Sequence, residues 1–457
     1  MKTLLEKIFK LKANKTNIKT EIIAGVTTFF TMAYIIFLCP SILSLTGMDF
    51  DSVFVATVVA AIMGCLVMGL YANVPYALAP GLGLASLFTY TVCFTLGFTW
   101  EQSLAMVFIC GVINLIITVT KVRTMLIKAI PEFMQHAIEV GIGLFIAYVG
   151  VKHAGLIQFS VDNISRDGIA LANDVIPHIV SFNAPNLILA VMGLAITSVL
   201  MVKKVPGNIL LGILITTIIG IPLGVTPLPD FSNGIFIPSM APTFMKLDFN
   251  GLFTAGSIIV VIMTIFTFSL SDIFDTLGTF IGTSEKAGIF KDKKDTQEIS
   301  PKLKKALIAD SIGTLFGSLL GTSNTTTYVE SAVGIEHGGR TGLTAVSVAI
   351  CFFLALFFAP IIKIVPAAAT APILILIGIS LIDSVKKINW EDAVIAIPAF
   401  LTIIFMPFSM SITTGIEFGF IFYILTKLAL KEGKSVHPIM YIFTFLFLLE
   451  FVYKAAM

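Results

Sequence analysis

Long apolar stretches, separated by short polar turns, recur along almost the whole of this 457-residue chain. A transmembrane helix needs about 20 predominantly apolar residues. The pattern predicts fourteen membrane segments, at residues 21–45, 51–71, 83–98, 102–120, 133–151, 186–202, 207–223, 252–281, 303–321, 328–336, 342–362, 370–384, 392–408 and 411–430. A further apolar run, 437–453, follows them, and the pattern leaves open whether it crosses the membrane, lies flat or packs at the periphery.

Two of these segments, 83–98 and 328–336, are too short to cross alone as helices, and each follows a break. The breaks read Asn73-Val-Pro-Tyr-Ala-Leu-Ala-Pro-Gly-Leu-Gly83 and Gly321-Thr-Ser-Asn-Thr-Thr-Thr-Tyr-Val-Glu330. In hydrocarbon every backbone N–H and C=O needs a partner, so such a break persists only when it is buried in protein or lines a cavity. Paired interruptions in two halves of a chain indicate the substrate site of a transporter. We therefore expect short strand-like breaks before half-helices in segments 3 and 10.

The lysines predict the orientation of the segments. Six lysines precede the first segment, namely Lys2, Lys7, Lys10, Lys12, Lys15 and Lys19. The N-terminus is therefore expected in the cytoplasm. If the chain crosses the membrane fourteen times, the other cation-rich loops, including 121–128 and 286–305, also lie on the cytoplasmic side. The two sets of seven segments then have opposite orientation, as in an inverted repeat.

Short internal matches support the repeat: Thr28-Phe-Phe-Thr31 resembles Thr264-Ile-Phe-Thr267, and Gly143-Leu-Phe-Ile resembles Gly378-Ile-Ser-Leu. Chance similarity within an apolar alphabet remains the alternative. The predicted organisation is an N-terminal cytoplasmic segment 1–20, a first repeat 21–223, a linker 224–249, a second repeat 250–431 and a C-terminal apolar helix 432–457.

Composition excludes a soluble protein. Hydrophobic residues make up 57% of the chain and charged residues 12%, where soluble chains carry about 25% charged residues. The net charge of +2 indicates no nucleic-acid partner. The five cysteines lie in apolar stretches without paired spacing, and the histidines show no metal-ligand spacing, so we expect no disulfide, metal or cofactor. No nucleophile–base pair is evident, which disfavours an enzyme; a channel would need neither the paired breaks nor buried acids.

Acidic residues inside membrane segments are functional candidates because they are costly there. Asp272 and Asp275 in segment 8 are spaced i,i+3 and share a helix face, near which Thr264, Phe268 and Thr279 also fall. We expect the two carboxylates to perturb each other, leaving one protonated near neutral pH. The alternative is a hydrogen-bonding pair that merely ties helices together.

Glu330 is expected at the start of the half-helix in segment 10, near the middle of the membrane. A helix N-terminus carries unpaired N–H groups and a partial positive charge, which favour a carboxylate there. A simple helix-capping role is the alternative interpretation.

Three further charged residues are weaker candidates. Asp310 opens segment 9, where a salt bridge to Lys304 or Lys305 competes with a functional role. Arg340 lies in a glycine-rich stretch that predicts a cytoplasmic turn, and Glu139 is a possible buried acid in segment 5.

Taken together, the motifs resemble the nucleobase–ascorbate transporter (nucleobase:cation symporter-2) superfamily, and specifically its hypoxanthine/guanine/adenine permease branch. The resemblance covers essentially the whole chain. It is carried by Val-Pro-Tyr-Ala-Leu-Ala-Pro-Gly-Leu-Gly-Leu (74–84), Asp-Ile-Phe-Asp-Thr-Leu-Gly-Thr (272–279), Ala-Asp-Ser-Ile-Gly-Thr (309–314), Thr-Thr-Tyr-Val-Glu-Ser (326–331), Gly-Gly-Arg-Thr-Gly-Leu-Thr-Ala-Val (338–346) and Ala-Ile-Pro-Ala-Phe-Leu-Thr-Ile-Ile (396–404).

The resemblance implies an all-α polytopic membrane protein with fourteen segments in a 7+7 inverted repeat. It implies a core domain, about 21–121 plus 250–362, and a gate domain, about 131–223 plus 366–431. It also implies proton-coupled import of purine bases across the plasma membrane by an elevator-type movement, and it allows a homodimer. An anion transporter of the same fold, for sulfate or bicarbonate, is the alternative, although buried acids disfavour it.

Matched residue by residue, Asp275 falls on the substrate-binding acid of segment 8 and Glu330 on the position that clamps the base in segment 10. Asp272 and Asp310 match polar positions linked to proton coupling and core integrity. One residue departs from the pattern: where the branch usually has Asn in segment 3, this chain has Ala85.

Leu84, Ala85 and Thr326 complete the substrate-binding set that the resemblance implies. The missing amide predicts a changed purine preference or compensation by Ser86. Phe268 is the aromatic candidate for stacking on the base.

Overall fold

The computed structural model describes residues 2–120, 129–166, 169–180, 184–228, 237–254, 258–287, 289–290 and 300–456. The first half of the chain contains nine described helices: α1 (Lys2–Phe9), α2 (Ile18–Met32), α3 (Ile35–Leu43), α4 (Phe50–Val67), α5 (Leu82–Ser86), α6 (Trp100–Val119), α7 (Glu132–His153), α8 (Pro185–Val202) and α9 (Asn208–Gly220). Wide π-helical turns extend α4 over Met68–Ala72 and α5 over Leu87–Thr95.

The second half contains ten described helices: α10 (Phe249–Thr254), α11 (Ile258–Ala287), α12 (Pro301–Leu320), α13 (Ser331–Glu336), α14 (Gly342–Ala355), α15 (Ala359–Ile362), α16 (Ala367–Ile382), α17 (Ala393–Phe408), α18 (Ile412–Ala429) and α19 (Pro438–Ala456). Four strands are described: β1 (Leu78–Pro80) and β4 (Thr325–Thr327) are short, whereas β2 (Ile157–Arg166) and β3 (Ile169–Ile179) are longer.

Within the described residues, nine helical stretches are long and apolar enough to cross a membrane, and four more apolar helices are shorter. The protein is therefore a mostly helical, polytopic membrane protein. Segment 1 is not one continuous α-helix. It is divided between α2 and α3, and the turn after Tyr34 is closed by tighter i to i+3 bonds, such as Phe37 N to Tyr34 O at 3.1 Å.

The two predicted breaks form an antiparallel pair of strands, which confirms that the chain is extended at both places. β1 pairs with β4 in the register Leu78↔Thr327, Ala79↔Thr326 and Pro80↔Thr325, and every residue of both strands is buried. Each strand is followed at once by a short helix, α5 or α13. Because each strand supplies the other's backbone partners, the extended chain is tolerated inside the protein.

A second pair of strands was not predicted. β2 and β3 form an antiparallel hairpin between α7 and α8, where the hydropathy pattern suggested only a loop. The signal was present, because Ile157, Phe159 and Val161 alternate with polar residues and Asp167-Gly168 is a favoured hairpin turn sequence.

The membrane helices pack in two groups. Helices α2–α6 and α11–α14 pack mainly on one another, as do α7–α9 and α16–α18. In the second group α7 crosses α16 at two glycines. A Cβ added to Gly378 would lie 2.7 Å from the carbonyl oxygen of Gly143, so the backbones meet with no room for a side chain. Gly143 and Gly378 are also the first residues of the internal match between the two halves of the sequence.

Contacts between the groups involve the π-helical part of segment 3. The Tyr90 hydroxyl lies 2.6 Å from Nε2 of His153 at the end of α7, and the Thr91 hydroxyl donates to the Met410 carbonyl oxygen at 3.4 Å.

The C-terminal apolar run is a helix, α19, that packs on α11 and α18. Phe443 stacks on Phe266 with ring centroids 3.8 Å apart, so this helix lies against the bundle. At the other end of the chain, the predicted cytoplasmic segment 1–20, to which the sequence analysis assigned no secondary structure, contains α1.

Candidate functional site

The paired strands bring the starts of two short helices face to face. Beyond β1, the Gly81 N–H donates to the Asn324 carbonyl oxygen at 2.9 Å, and the Tyr328 N–H donates to the Ala77 carbonyl oxygen at 3.0 Å. The Ala77 N–H donates to the Ser331 hydroxyl, the first residue of α13, at 3.0 Å. These bonds bind the two half-helices into one rigid unit around the crossing.

Asp275, the first predicted site residue, faces this crossing from α11. Its Oδ2 accepts a hydrogen bond from the Thr326 hydroxyl on β4 at 3.2 Å. Its side chain is exposed although Asp272 and Thr276 on the same helix are buried, so the Asp275 carboxylate lines an open space beside the strands. A Cβ at Gly81 would lie only 2.6 Å from Thr326 and 3.7 Å from Oδ2 of Asp275, so glycine lets the strand end approach the acid.

Glu330 lies on the other side of the crossing, directly before α13. It occupies the N-cap position but makes no side-chain capping bond, so the alternative of a simple helix cap is not what the structure shows. Its Oε1 instead accepts a hydrogen bond from the Tyr34 hydroxyl at the break in segment 1. The rings of Tyr34 and Tyr328 lie 6.5 Å apart, and the Tyr328 hydroxyl donates to the Pro80 carbonyl oxygen at 2.6 Å.

Asp310 joins segments 8, 9 and 10. Oδ1 of this buried carboxylate accepts hydrogen bonds from the hydroxyls of Thr276 and Thr327, both at 2.9 Å. The alternative of a salt bridge to the nearby lysines was wrong. The Lys304 ammonium donates instead to a backbone carbonyl oxygen on α6, and the Lys305 ammonium lies over the ring of Tyr71.

The Asp272 carboxylate contacts α6, whereas the Asp275 carboxylate contacts β4. Its Oδ2 accepts a hydrogen bond from the Asn114 side-chain amide on α6 at 2.7 Å, and the Ser269 hydroxyl donates to the oxygen of that amide. The two carboxylates of segment 8 therefore accept hydrogen bonds from different donors, the Asn114 amide and the Thr326 hydroxyl, and their mutual effect on protonation stays a prediction.

The other predicted substrate-binding residues are packed. Leu84 and Ala85 are buried in α5, and Phe268 is fully buried two turns before Asp275. A stacking role for Phe268 stays a prediction, because its ring has no exposed face in this structure. The Ser86 hydroxyl, which follows Ala85, is buried and has no hydrogen-bond partner among the described residues.

Two weaker candidates have structural partners. The guanidinium of Arg340 donates to the backbone carbonyl oxygens of Ile335 and Gly339, as expected for a turn residue. The Glu139 carboxylate on α7 accepts a hydrogen bond from the Ser384 hydroxyl at 2.6 Å.

Sequence reasoning missed Tyr34 and Asn114, which hold the two acids Glu330 and Asp272. Both are polar residues within apolar helical segments, and that was the available signal. Within the described residues no group of three or more His, Cys, Asp and Glu side chains is arranged to hold a metal ion.

Comparisons with known proteins agree with this architecture. Residues 19–418 match the model of a family described as the Permease family. The chain is 39% identical to the guanine/hypoxanthine permease PbuO of Bacillus subtilis, over 97% of this chain and 99% of that protein. It is 38% identical to the adenine permease AdeP of Escherichia coli, over 98% and 96% of the two chains. The fold is similar to the transmembrane domain of a cyanobacterial bicarbonate transporter, BicA, with a TM-score of 0.60 and 16% identity over 88% of this chain and 97% of that one.

Proposed function

The chain belongs to the nucleobase:cation symporter-2 family of multi-pass membrane permeases, and from this premise we propose that it imports purine nucleobases, hypoxanthine, guanine or adenine. The observation that carries the proposal is the pair of carboxylates at the strand crossing. Asp275 and Glu330 approach it from two different segments, and a hydroxyl group positions each of them.

A purine base is a flat, uncharged ring with adjacent N–H donors and ring-nitrogen acceptors. A carboxylate can accept hydrogen bonds from neighbouring N–H groups, while backbone N–H groups at a helix start can donate to a carbonyl or ring nitrogen. In the proposed complex Glu330 and Asp275 accept from the base, and the half-helix that contains Leu84 and Ala85 donates to it. Ser86 supplies a hydroxyl group next to the position where the family usually has Asn.

The proposed coupling ion is a proton. Asp275 is the first candidate to carry it, because its side chain is accessible and is linked through the hydroxyls of Thr326 and Thr276 to the Asp310 carboxylate. Asp272 is the second candidate, through its link to Asn114. Asp310 keeps the core intact by holding Thr276 and Thr327 on neighbouring segments.

The proposed architecture is the 7+7 inverted repeat with its core and gate domains. The two groups of packed helices support this division, because the first contains the crossing strands and the second lies beside them. The contact between Gly143 and Gly378 supports the repeat, because these glycines occupy matching positions in the two halves of the sequence. In an elevator-type mechanism the first group would carry the base across the membrane against the second. We place the protein in the plasma membrane with its N-terminus in the cytoplasm.

An anion transporter remains the second candidate because the bicarbonate transporter has a similar fold, but that likeness concerns the fold alone. Carboxylates at the crossing would repel sulfate or bicarbonate. Competition of labelled hypoxanthine uptake by unlabelled purines and by these anions separates the two functions: purines should compete, and the anions should not.

The proposal is tested by uptake of labelled hypoxanthine, guanine and adenine into cells that express Glu330→Gln or Asp275→Asn. Both variants should lose most uptake at unchanged expression, because an amide replaces an acceptor oxygen with a donor. Asp51→Asn is the control, since the Asp51 carboxylate pairs with Lys363 away from the crossing, and it should transport normally. Near-normal uptake by both site variants would remove these acids from the mechanism.

A further inference from the structure

A cavity of about 940 Å³ lies at the elbow between α1 and α2, away from the strand crossing. Its apolar wall includes Leu11, Ile18, Ile22 and Ile23. Ile22 and Ile23 are 44% and 46% exposed on the first turns of the first membrane segment. Exposed apolar side chains on a membrane segment offer a surface suited to acyl chains, and this surface forms one side of the cavity.

The polar wall of the same cavity is basic. Lys12 and Lys19 line it, both exposed, and neither ammonium pairs with a carboxylate within the described part of the chain. The one acid in the lining, Glu6, already accepts hydrogen bonds from the backbone N–H of Lys12 at 3.2 and 3.3 Å. The charged groups among the described lining residues are therefore two ammonium groups and one carboxylate, a net charge of +1 beside the apolar wall.

The cavity is also held in shape by the protein. The Asn17 side chain caps α2 by accepting from the Thr20 N–H at 3.0 Å, and the Asn73 side chain donates to the Phe9 carbonyl oxygen at 3.1 Å. Phe9 and Leu11 are buried, so the segment that carries Lys12 is anchored to the helices below it.

We propose that this elbow cavity is a binding site for an anionic phospholipid. Its phosphate lies between Lys12 and Lys19, and its acyl chains run along Ile22 and Ile23. Charge complementarity selects an anionic headgroup, and an apolar wall that continues into the membrane segment selects a lipid over a soluble anion. The site is separate from the proposed base-binding residues and does not depend on what the protein transports.

The test uses the full-length protein, purified in detergent and stripped of lipid. Native mass spectrometry and thermal unfolding follow its titration with phosphatidylglycerol, with phosphatidylcholine of the same acyl chains, and with inorganic phosphate. Phosphatidylglycerol should bind and raise the unfolding temperature, whereas phosphatidylcholine and phosphate should do so weakly. A lysine near an anionic lipid contributes about fivefold to binding, so Lys12→Gln/Lys19→Gln should weaken the apparent affinity about 25-fold.

The control variant, Lys431→Gln/Lys434→Gln, removes the same charge from exposed lysines after α18 and should bind phosphatidylglycerol normally. Ile22→Asn/Ile23→Asn keeps the lysines but makes the apolar wall polar, and it should weaken binding of the lipid. Equal losses in the lysine variant and its control would overturn the proposal in favour of non-specific surface charge. Stabilisation by phosphate as strong as that by the lipid would overturn it in favour of a small-anion site.

Discussion

The hydrogen bond from Tyr34 to Glu330 yields the sharpest prediction for the proposed transport function. Tyr34→Phe removes the hydroxyl group that donates to Oε1 of Glu330 and leaves the ring in place beside Tyr328. Tyr34 is 3% exposed, so water does not readily replace the lost donor. The Glu330 carboxylate is then free to turn away from the strand crossing.

The size of the effect follows from the kind of bond. A hydrogen bond to a charged group contributes about 1.5–3 kcal/mol, which corresponds to roughly 10- to 150-fold in an equilibrium constant. If Glu330 must be oriented to accept from the base, Tyr34→Phe should lower kcat/KM for purine uptake by a factor in this range. Most of the change should appear as a raised KM, because the residue acts on binding.

The assay is initial-rate uptake of labelled hypoxanthine, guanine and adenine, with expression level and thermal unfolding measured for the same variants. Tyr76→Phe is the matched control. Its hydroxyl lies 2.9 Å from that of Thr283 and is equally buried, but it is not bonded to a site acid. An unchanged KM in Tyr34→Phe, with a loss of stability equal to that of the control, would refute a positioning role.

Two further predictions concern packing and the core polar network. Gly378→Ala should lower the free energy of unfolding by about 1–3 kcal/mol, since its Cβ would lie 2.7 Å from the Gly143 carbonyl oxygen. The control variant Gly278→Ala should not lower it, because no atom lies within 4 Å of the added Cβ. Equal thermal midpoints of the two variants in detergent would contradict the close crossing. Asn114→Leu should lower the free energy of unfolding by about 1–3 kcal/mol and remove most of the uptake, because Asp272 loses its hydrogen-bond donor at 2.7 Å. A variant with a normal thermal midpoint and normal uptake would show that this bond is dispensable.

Much of the fold was predictable because hydrocarbon imposes strict rules on the backbone. Apolar runs of sufficient length predict helices, and a run that is interrupted in both halves predicts extended chain at β1 and β4. The acids Asp275 and Glu330 were predicted as site residues for the same reason, since a charge within a membrane segment needs a function or a partner.

The partners of those acids could not be predicted in the same way. Tyr34 meets Glu330 across 296 residues of chain, and Asn114 meets Asp272 across 158, and no local pattern encodes such pairs. The i,i+3 spacing of Asp272 and Asp275 puts both on one helix face, but it does not say which neighbouring helix each side chain bonds. The hairpin β2–β3 was missed because its alternating pattern is weaker than that of the apolar runs around it.

The strand crossing also has a consequence for how the protein is made. β1 leaves the ribosome early, but the groups it pairs with come much later, and 248 residues separate Pro80 from its partner Tyr328. At about 5–20 residues per second, synthesis of that stretch takes roughly 12–50 s. During this interval the peptide groups of β1 lack the strand partners that Thr325–Thr327 later provide. The strand crossing can therefore form only after most of the chain has been made, and it requires both halves.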